Sequence, residues 1–82
     1  MSDVLKVSIL RAFAVEDFEA EWVFVSAKSG DFVVYPDHAS ILSGINSLEP
    51  LKIKLIGGDV KEFLFENAVF FKDIDNVVFI YD

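Results

Sequence analysis

Apolar and polar residues alternate with a period of two along most of this chain. Leu5, Val7 and Ile9 are separated by Lys6 and Ser8, and Leu51, Ile53 and Leu55 by Lys52 and Lys54. Successive side chains of a β-strand point to opposite faces, so this spacing predicts strands with one buried face. Residues 21–26 and 32–35 are aromatic and β-branched, which suits a pleated surface. Residues 60–65, 69–72 and 77–81 complete the predicted set. No segment keeps a helical period over the ~12 residues a helix requires. After Pro36, residues 37–43 could close a single helical turn at most.

The punctuation between these runs fits antiparallel pairing. Gly57-Gly58-Asp59 lies between two alternating runs and reads as a hairpin turn. Asp73-Ile74-Asp75-Asn76, Ser29-Gly30-Asp31 and Pro36-Asp37 read as further turns, and residues 46–50 as a connection. Turns recur about every ten residues, the spacing of an antiparallel sandwich or barrel. The prediction is an all-β fold in one domain over residues 1–82. The first strand is only moderately apolar and is expected at a sheet edge, where Lys6 would discourage strand addition.

Composition sharpens this picture. The chain has 82 residues, of which 54% are hydrophobic, including nine Phe, one Trp and two Tyr. A domain this small buries only about 60% of the surface its unfolded chain exposes. Part of the apolar content is therefore expected outside, where a contiguous patch marks an interface. The chain has no cysteine, so neither a disulfide nor a thiolate metal site can staple it. The formal net charge of −7, with no basic stripe, excludes nucleic acid as a partner. No run approaches the ~18 apolar residues of a spanning helix. Met1-Ser2-Asp3 has no basic region before an apolar core, so a cytosol-side protein without a signal peptide is expected.

Candidate chemistry is sparse. His38 is the sole histidine, which removes any multi-histidine metal cluster. Asp73, Asp75 and Asn76 could offer oxygens to Ca²⁺, but the glycine and distal Glu of the calcium loop are missing, so an Asx-type turn is the simpler reading. Asp37, His38 and Ser40 are sequence neighbours, whereas a catalytic triad is assembled by folding, and no Gly-x-Ser-x-Gly elbow is present. His38 reads as a turn histidine. Gly57-Gly58 is not followed by Lys-Ser/Thr and is no phosphate loop. Trp22, within an apolar strand, is read as core or interface, with core preferred to interface. No catalytic, cofactor or metal residue is expected, which leaves a β-rich interaction domain.

The segment from Ser29-Gly30-Asp31 through Phe32-Val33-Val34-Tyr35 to Pro36-Asp37-His38-Ala39-Ser40-Ile41-Leu42-Ser43 resembles the signature of F-type ATP synthase epsilon subunits. That family carries an acidic-glycine turn, a short apolar strand, then Pro-Gly-His-Ala-Pro-Leu-Leu-Thr. Pro36, His38, Ala39, Leu42 and the hydroxyl of Ser43 stand in register with it. Leu5-Lys6-Val7-Ser8-Ile9-Leu10, the alternating run at Leu51, the turn at Gly57-Gly58-Asp59 and the closing Val77-Val78-Phe79-Ile80-Tyr81-Asp82 follow the family order. The chain departs at Asp37 (usually glycine), Ser40 (usually proline), Glu66-Asn67-Ala68 (often Ser-Gly-Gly) and Arg11-Ala12-Phe13.

The resemblance implies a flattened antiparallel β-sandwich acting as a non-catalytic central-stalk rotor subunit in proton-driven ATP synthesis. It implies contact with the gamma subunit, with the polar loops of the c-ring and, indirectly, with the alpha and beta subunits, without a cofactor. Ser29, Gly30 and Asp31 would face the c-ring, and His38, Ala39, Ser40, Ile41 and Leu42 the gamma subunit. Asp31 as a plain turn acid and Leu42 as plain core remain the competing readings. Relatives continue into a C-terminal helical hairpin that this sequence lacks, and a naturally short subunit is expected. The expected setting is the cytoplasmic face of a bacterial inner membrane, peripheral, with an organelle membrane as the other setting. Two other functions remain open: a free-standing β-sandwich protein-interaction adaptor, and a small barrel enzyme, for which no polar cluster is visible.

Overall fold

The computed structural model describes residues 4–82. Eight strands follow in chain order: β1 (Leu5–Arg11), β2 (Ala14–Ala27), β3 (Gly30–Val34), β4 (Ile41–Gly44), β5 (Leu51–Leu55), β6 (Val60–Phe63), β7 (Val69–Lys72) and β8 (Val77–Tyr81). They form one continuous sheet in the order β4-β7-β8-β1-β2-β5-β6, with β3 also paired to β2. The sheet curls over its own inner face, a sandwich-like arrangement closed around one core, and the fold is all-β.

The curl is made by β2, which at 14 residues is long enough to belong to both halves. Its first part pairs β1 through Leu5↔Ala20 to Arg11↔Ala14. Its second part pairs β5 through Trp22↔Lys54 and Val23↔Ile53, and β3 through Val23↔Val34 to Ala27↔Gly30. The register with β5 slips between Ala20 and Trp22. The slip changes which residues face inward: Ala20 before it, then Val23, Val25 and Ala27 after it. An extra residue of this kind bends a strand and increases its twist, which carries β2 from one half into the other.

The two halves meet across the core. Leu5, Val7, Ile9, Phe70, Val78 and Ile80 from the first half cluster with Val23, Val25, Val34, Leu51 and Ile53 from the second. Phe32 of β3 stands edge-on to Phe70 of β7, with ring centroids 6.1 Å apart. Those strands share no ladder, so this contact is between layers, in a geometry aromatic pairs favour.

Three expectations are corrected. β1 is not an edge strand: it lies between β2 and β8, and Lys6 escapes by pointing to the outer face. The sheet is not wholly antiparallel, because β1 and β8 run parallel through Lys6↔Val77 to Leu10↔Tyr81. Parallel neighbours need a long crossover, and here the crossover is the rest of the fold. Residues 37–43 form no helical turn; Tyr35–His38 closes a tight turn (His38 N–H to Tyr35 C=O, 3.1 Å), and the chain then extends into β4 against β7. Two predicted hairpin turns stand as read. At the β5–β6 turn Gly58 adopts φ 104°, a conformation that suits glycine. At the β7–β8 turn the Asp73 carboxylate accepts from the amides of Asp75 (2.8 Å) and Val77 (3.1 Å), an Asx-type arrangement.

Phe70 is fully buried at the centre of this contact between halves. Truncating a buried Phe costs about 3–5 kcal/mol, and small domains hold only a few kcal/mol in total. Phe70→Ala is therefore expected to be largely unfolded in buffer by far-ultraviolet circular dichroism and urea titration. A loss below about 1 kcal/mol would show that the halves do not depend on each other through this ring.

Candidate functional site

The strand registers give the outer face of the first half a continuous order. One row runs Leu42–Phe71–Phe79–Ser8–Asp17 from β4 to β2, and the next runs Gly44–Val69–Tyr81–Leu10–Val15. Every residue of the second row except Gly44 is apolar or aromatic. Leu42 is 70% exposed, Val69 40%, Tyr81 50% and Val15 61%. Phe79 and Tyr81 lie side by side, with centroids 6.2 Å apart. Towards β2 the face turns polar: the Ser8 hydroxyl donates to the Asp17 carboxylate (2.7 Å), with Lys6 and Glu19 paired beside them. The inner face of the same strands is already filled, so these side chains have nothing left to bury against within the chain. An apolar surface with a polar margin is the form of a docking site.

The segment leading into this face is held by polar contacts. Asp37 (φ 68°) and Asn76 (φ 63°) both adopt left-handed backbone, which costs a side-chain-bearing residue energy. They stabilise each other: the Asp37 amide donates to Asn76 Oδ1 (2.6 Å), and Asn76 Nδ2 donates to Asp37 Oδ1 (3.2 Å). Aspartate and asparagine are among the residues that tolerate that region. Beneath the segment lies Lys72, fully buried, whose Nζ donates to the carbonyl of His38 and to that of Asp73 (2.8 Å).

The sequence-predicted positions fall in two places. Ser29, Gly30 and Asp31 sit exposed at the β2–β3 turn. Ser29 shares a cleft of about 380 Å³ with Ser43, Gly44 and Asn67, at the far end of β4 from His38. His38, half-buried, contacts the carbonyl of Ala39 through Nδ1 (2.7 Å), while Ala39 and Ser40 are exposed. Ile41 and Leu42 divide: Ile41 packs on the core, and Leu42 points outward opposite Phe71. The chain does not bring the two groups into one cluster; β4 links them. Among the described residues no three His, Asp or Glu side chains gather to hold a metal ion.

Reading the sequence alone missed two features. The outer partners Phe71, Phe79 and Tyr81 were assigned to strands, but their common face requires the register. Trp22 is the other miss. It is half-buried on the outer face of the second half, next to Phe24, Val33 and Tyr35, around a depression of about 300 Å³. The register slip after Ala20 turned it outward. Lys52 covers part of this second patch, its Nζ 5.8 Å from the centroid of Phe24.

The division between Ile41 and Leu42 is testable by thermal or urea unfolding. Leu42→Ala is expected to leave stability within about 0.5 kcal/mol of the parent, as surface changes do. Ile41→Ala should cost about 1–2 kcal/mol, the partly buried fraction of a core truncation. Equal losses would mean Leu42 is core after all.

No protein-family model matches this chain, and no curated protein matches it. Solved structures share its fold, two of them from ATP synthases. A chain of the Euglena gracilis mitochondrial ATP synthase, in an OSCP/F1/c-ring structure in rotational state 1, superposes with a TM-score of 0.88 over 99% of this chain at 12% identity. A chain of the Tetrahymena thermophila mitochondrial ATP synthase central stalk and c-ring superposes with a TM-score of 0.78 over 94% at 18% identity. This chain spans 51% and 61% of those chains, and what it shares with both is the sandwich-like fold.

Proposed function

We propose that this chain is an epsilon-type rotor subunit of an F-type ATP synthase central stalk. It would link a gamma-type subunit to the polar loops of the c-ring during proton-driven ATP synthesis, and contact the alpha and beta subunits only indirectly. The observation that carries the reading is the outer apolar face centred on Leu42, Phe71, Phe79 and Tyr81, on a sheet whose inner face is already filled. The fold shared with a chain of an ATP synthase OSCP/F1/c-ring assembly and with one of a central stalk and c-ring assembly supports the choice of machine. In this reading His38, Ala39, Ser40, Ile41 and Leu42 lead the gamma subunit onto the face. Ser29, Gly30 and Asp31, at the exposed β2–β3 turn, meet the ring.

The role is mechanical rather than catalytic. A collar that passes torque must resist shear, and a close-packed β core has low compressibility. The subunit would be peripheral to its membrane and held there by the complex. The cytoplasmic face of a bacterial inner membrane is the setting expected from sequence, while the two solved structures named above are mitochondrial.

Size-exclusion chromatography with a cognate gamma subunit tests the proposal. Co-elution is expected at micromolar concentration. Leu42→Asp should weaken it by at least about tenfold, since a charge in a buried contact costs more than 1.4 kcal/mol. Lys61→Gln, on β6 at the opposite sheet edge, should leave it unchanged. A chain that never shifts with gamma would remove the rotor reading and favour the free-standing adaptor.

A further inference from the structure

Lys72 is an unusual residue to find with no exposed surface. It occupies an inward-facing position of β7, between core residues, where an apolar side chain would satisfy the packing. Its amine instead reaches under the following loop and the preceding one. Nζ donates to the Asp73 carbonyl, at the start of the β7–β8 turn, and to the His38 carbonyl, 34 residues earlier in the chain. The same two loops are joined on their outer side by the reciprocal Asp37–Asn76 pair. Both members of that pair hold positive φ, so without these bonds the loops would relax towards other conformations.

Burying an amine is unfavourable unless its hydrogen bonds are made. Here one of the two is made only while the His38 carbonyl stays in place. Opening of the segment would leave the buried amine with the Asp73 carbonyl alone, so the amine opposes opening more strongly than a surface bond could. The segment thus secured feeds directly into β4 and Leu42. A docking strand that is fixed before its partner arrives loses less conformational entropy on binding.

We propose that Lys72 is a positioning residue, a buried latch that holds residues 37–42 in their docking shape in the free chain. The inference rests on the docking role given to His38–Leu42 above, but its primary test needs no partner. In the folded chain, the amide of His38 and the amides of β4 are followed by hydrogen–deuterium exchange. Lys72→Met keeps the volume and removes the donor. Exchange at His38 and in β4 is expected to rise about tenfold, while Ile53 of β5 keeps its parent rate. Unchanged exchange at His38 would overturn the latch and leave Lys72 a mere filler of the core.

Should Lys72→Met fail to fold, Asn76→Ala removes the outer half of the clasp without opening the core. In that variant the Lys72 amine, probed with an amine-acylating reagent beside the exposed Lys6, Lys28 and Lys61, and the His38 amide should keep or lose their protection together. An amine that becomes reactive while His38 keeps its parent exchange rate would also overturn the proposal, because the segment would then hold without the latch. Binding to gamma then separates the two ideas. Faster exchange together with weaker binding supports both. Faster exchange in a chain whose parent never binds gamma keeps the latch and rejects the docking role.

Discussion

The fold depends on one strand that serves two layers. An 82-residue chain without cysteine cannot support two independent sheets, each with its own core. It closes a single core by bending β2 through the register slip between Ala20 and Trp22. The slip lets Ala20 and Val23 face the same interior although they are an odd number of residues apart. Without it, Val23 and Val25 would point outward, and Phe32 could not meet Phe70. The contact between halves, and therefore the stability, follows from that irregularity.

The same geometry decides what is left outside. With both inner faces filled, a chain this rich in aromatic residues must place some of them on its surface. Two groups of them stand together on the outer faces, while Phe13, Leu48, Leu64 and Ile74 are exposed elsewhere. The larger lies across β4, β7, β8 and β1, and the smaller around Trp22 and Tyr35. The larger patch adjoins the one segment fixed by a clasp of side chains from two loops. Rigidity beside exposed apolar surface is the combination the proposed rotor contact would use.

Much of this was legible in the sequence, for identifiable reasons. The alternation at Leu5, Val7 and Ile9 and at Leu51, Ile53 and Leu55 reports burial directly, and both runs are strands with those residues inward. Turn chemistry at Gly58 and Asp73 is local, and was readable for that reason. What failed was non-local. The parallel β1–β8 pair, the central place of β1 and the strand at residues 41–44 all depend on partners far away in the chain. The acid-rich start of β2, from Ala14 to Glu19, shows no period-two alternation, because β1 supplies its ladder and most of its side chains face solvent. Lys72 reads as a strand-terminal lysine and not as a buried one, because its acceptor, the His38 carbonyl, is close only after folding.

In the proposed role, a stalk partner covers the face through Leu42 and Tyr81 and not the one through Trp22. Hydroxyl-radical footprinting of the chain with and without a gamma subunit reads this from side chains directly. Leu42, Phe71, Phe79 and Tyr81 are expected to be protected in the complex, with Trp22 and Tyr35 as reactive as in the free chain. Protection of Trp22 and Tyr35 with no change at Leu42 and Tyr81 would contradict it and move the docking surface to the opposite half of the fold.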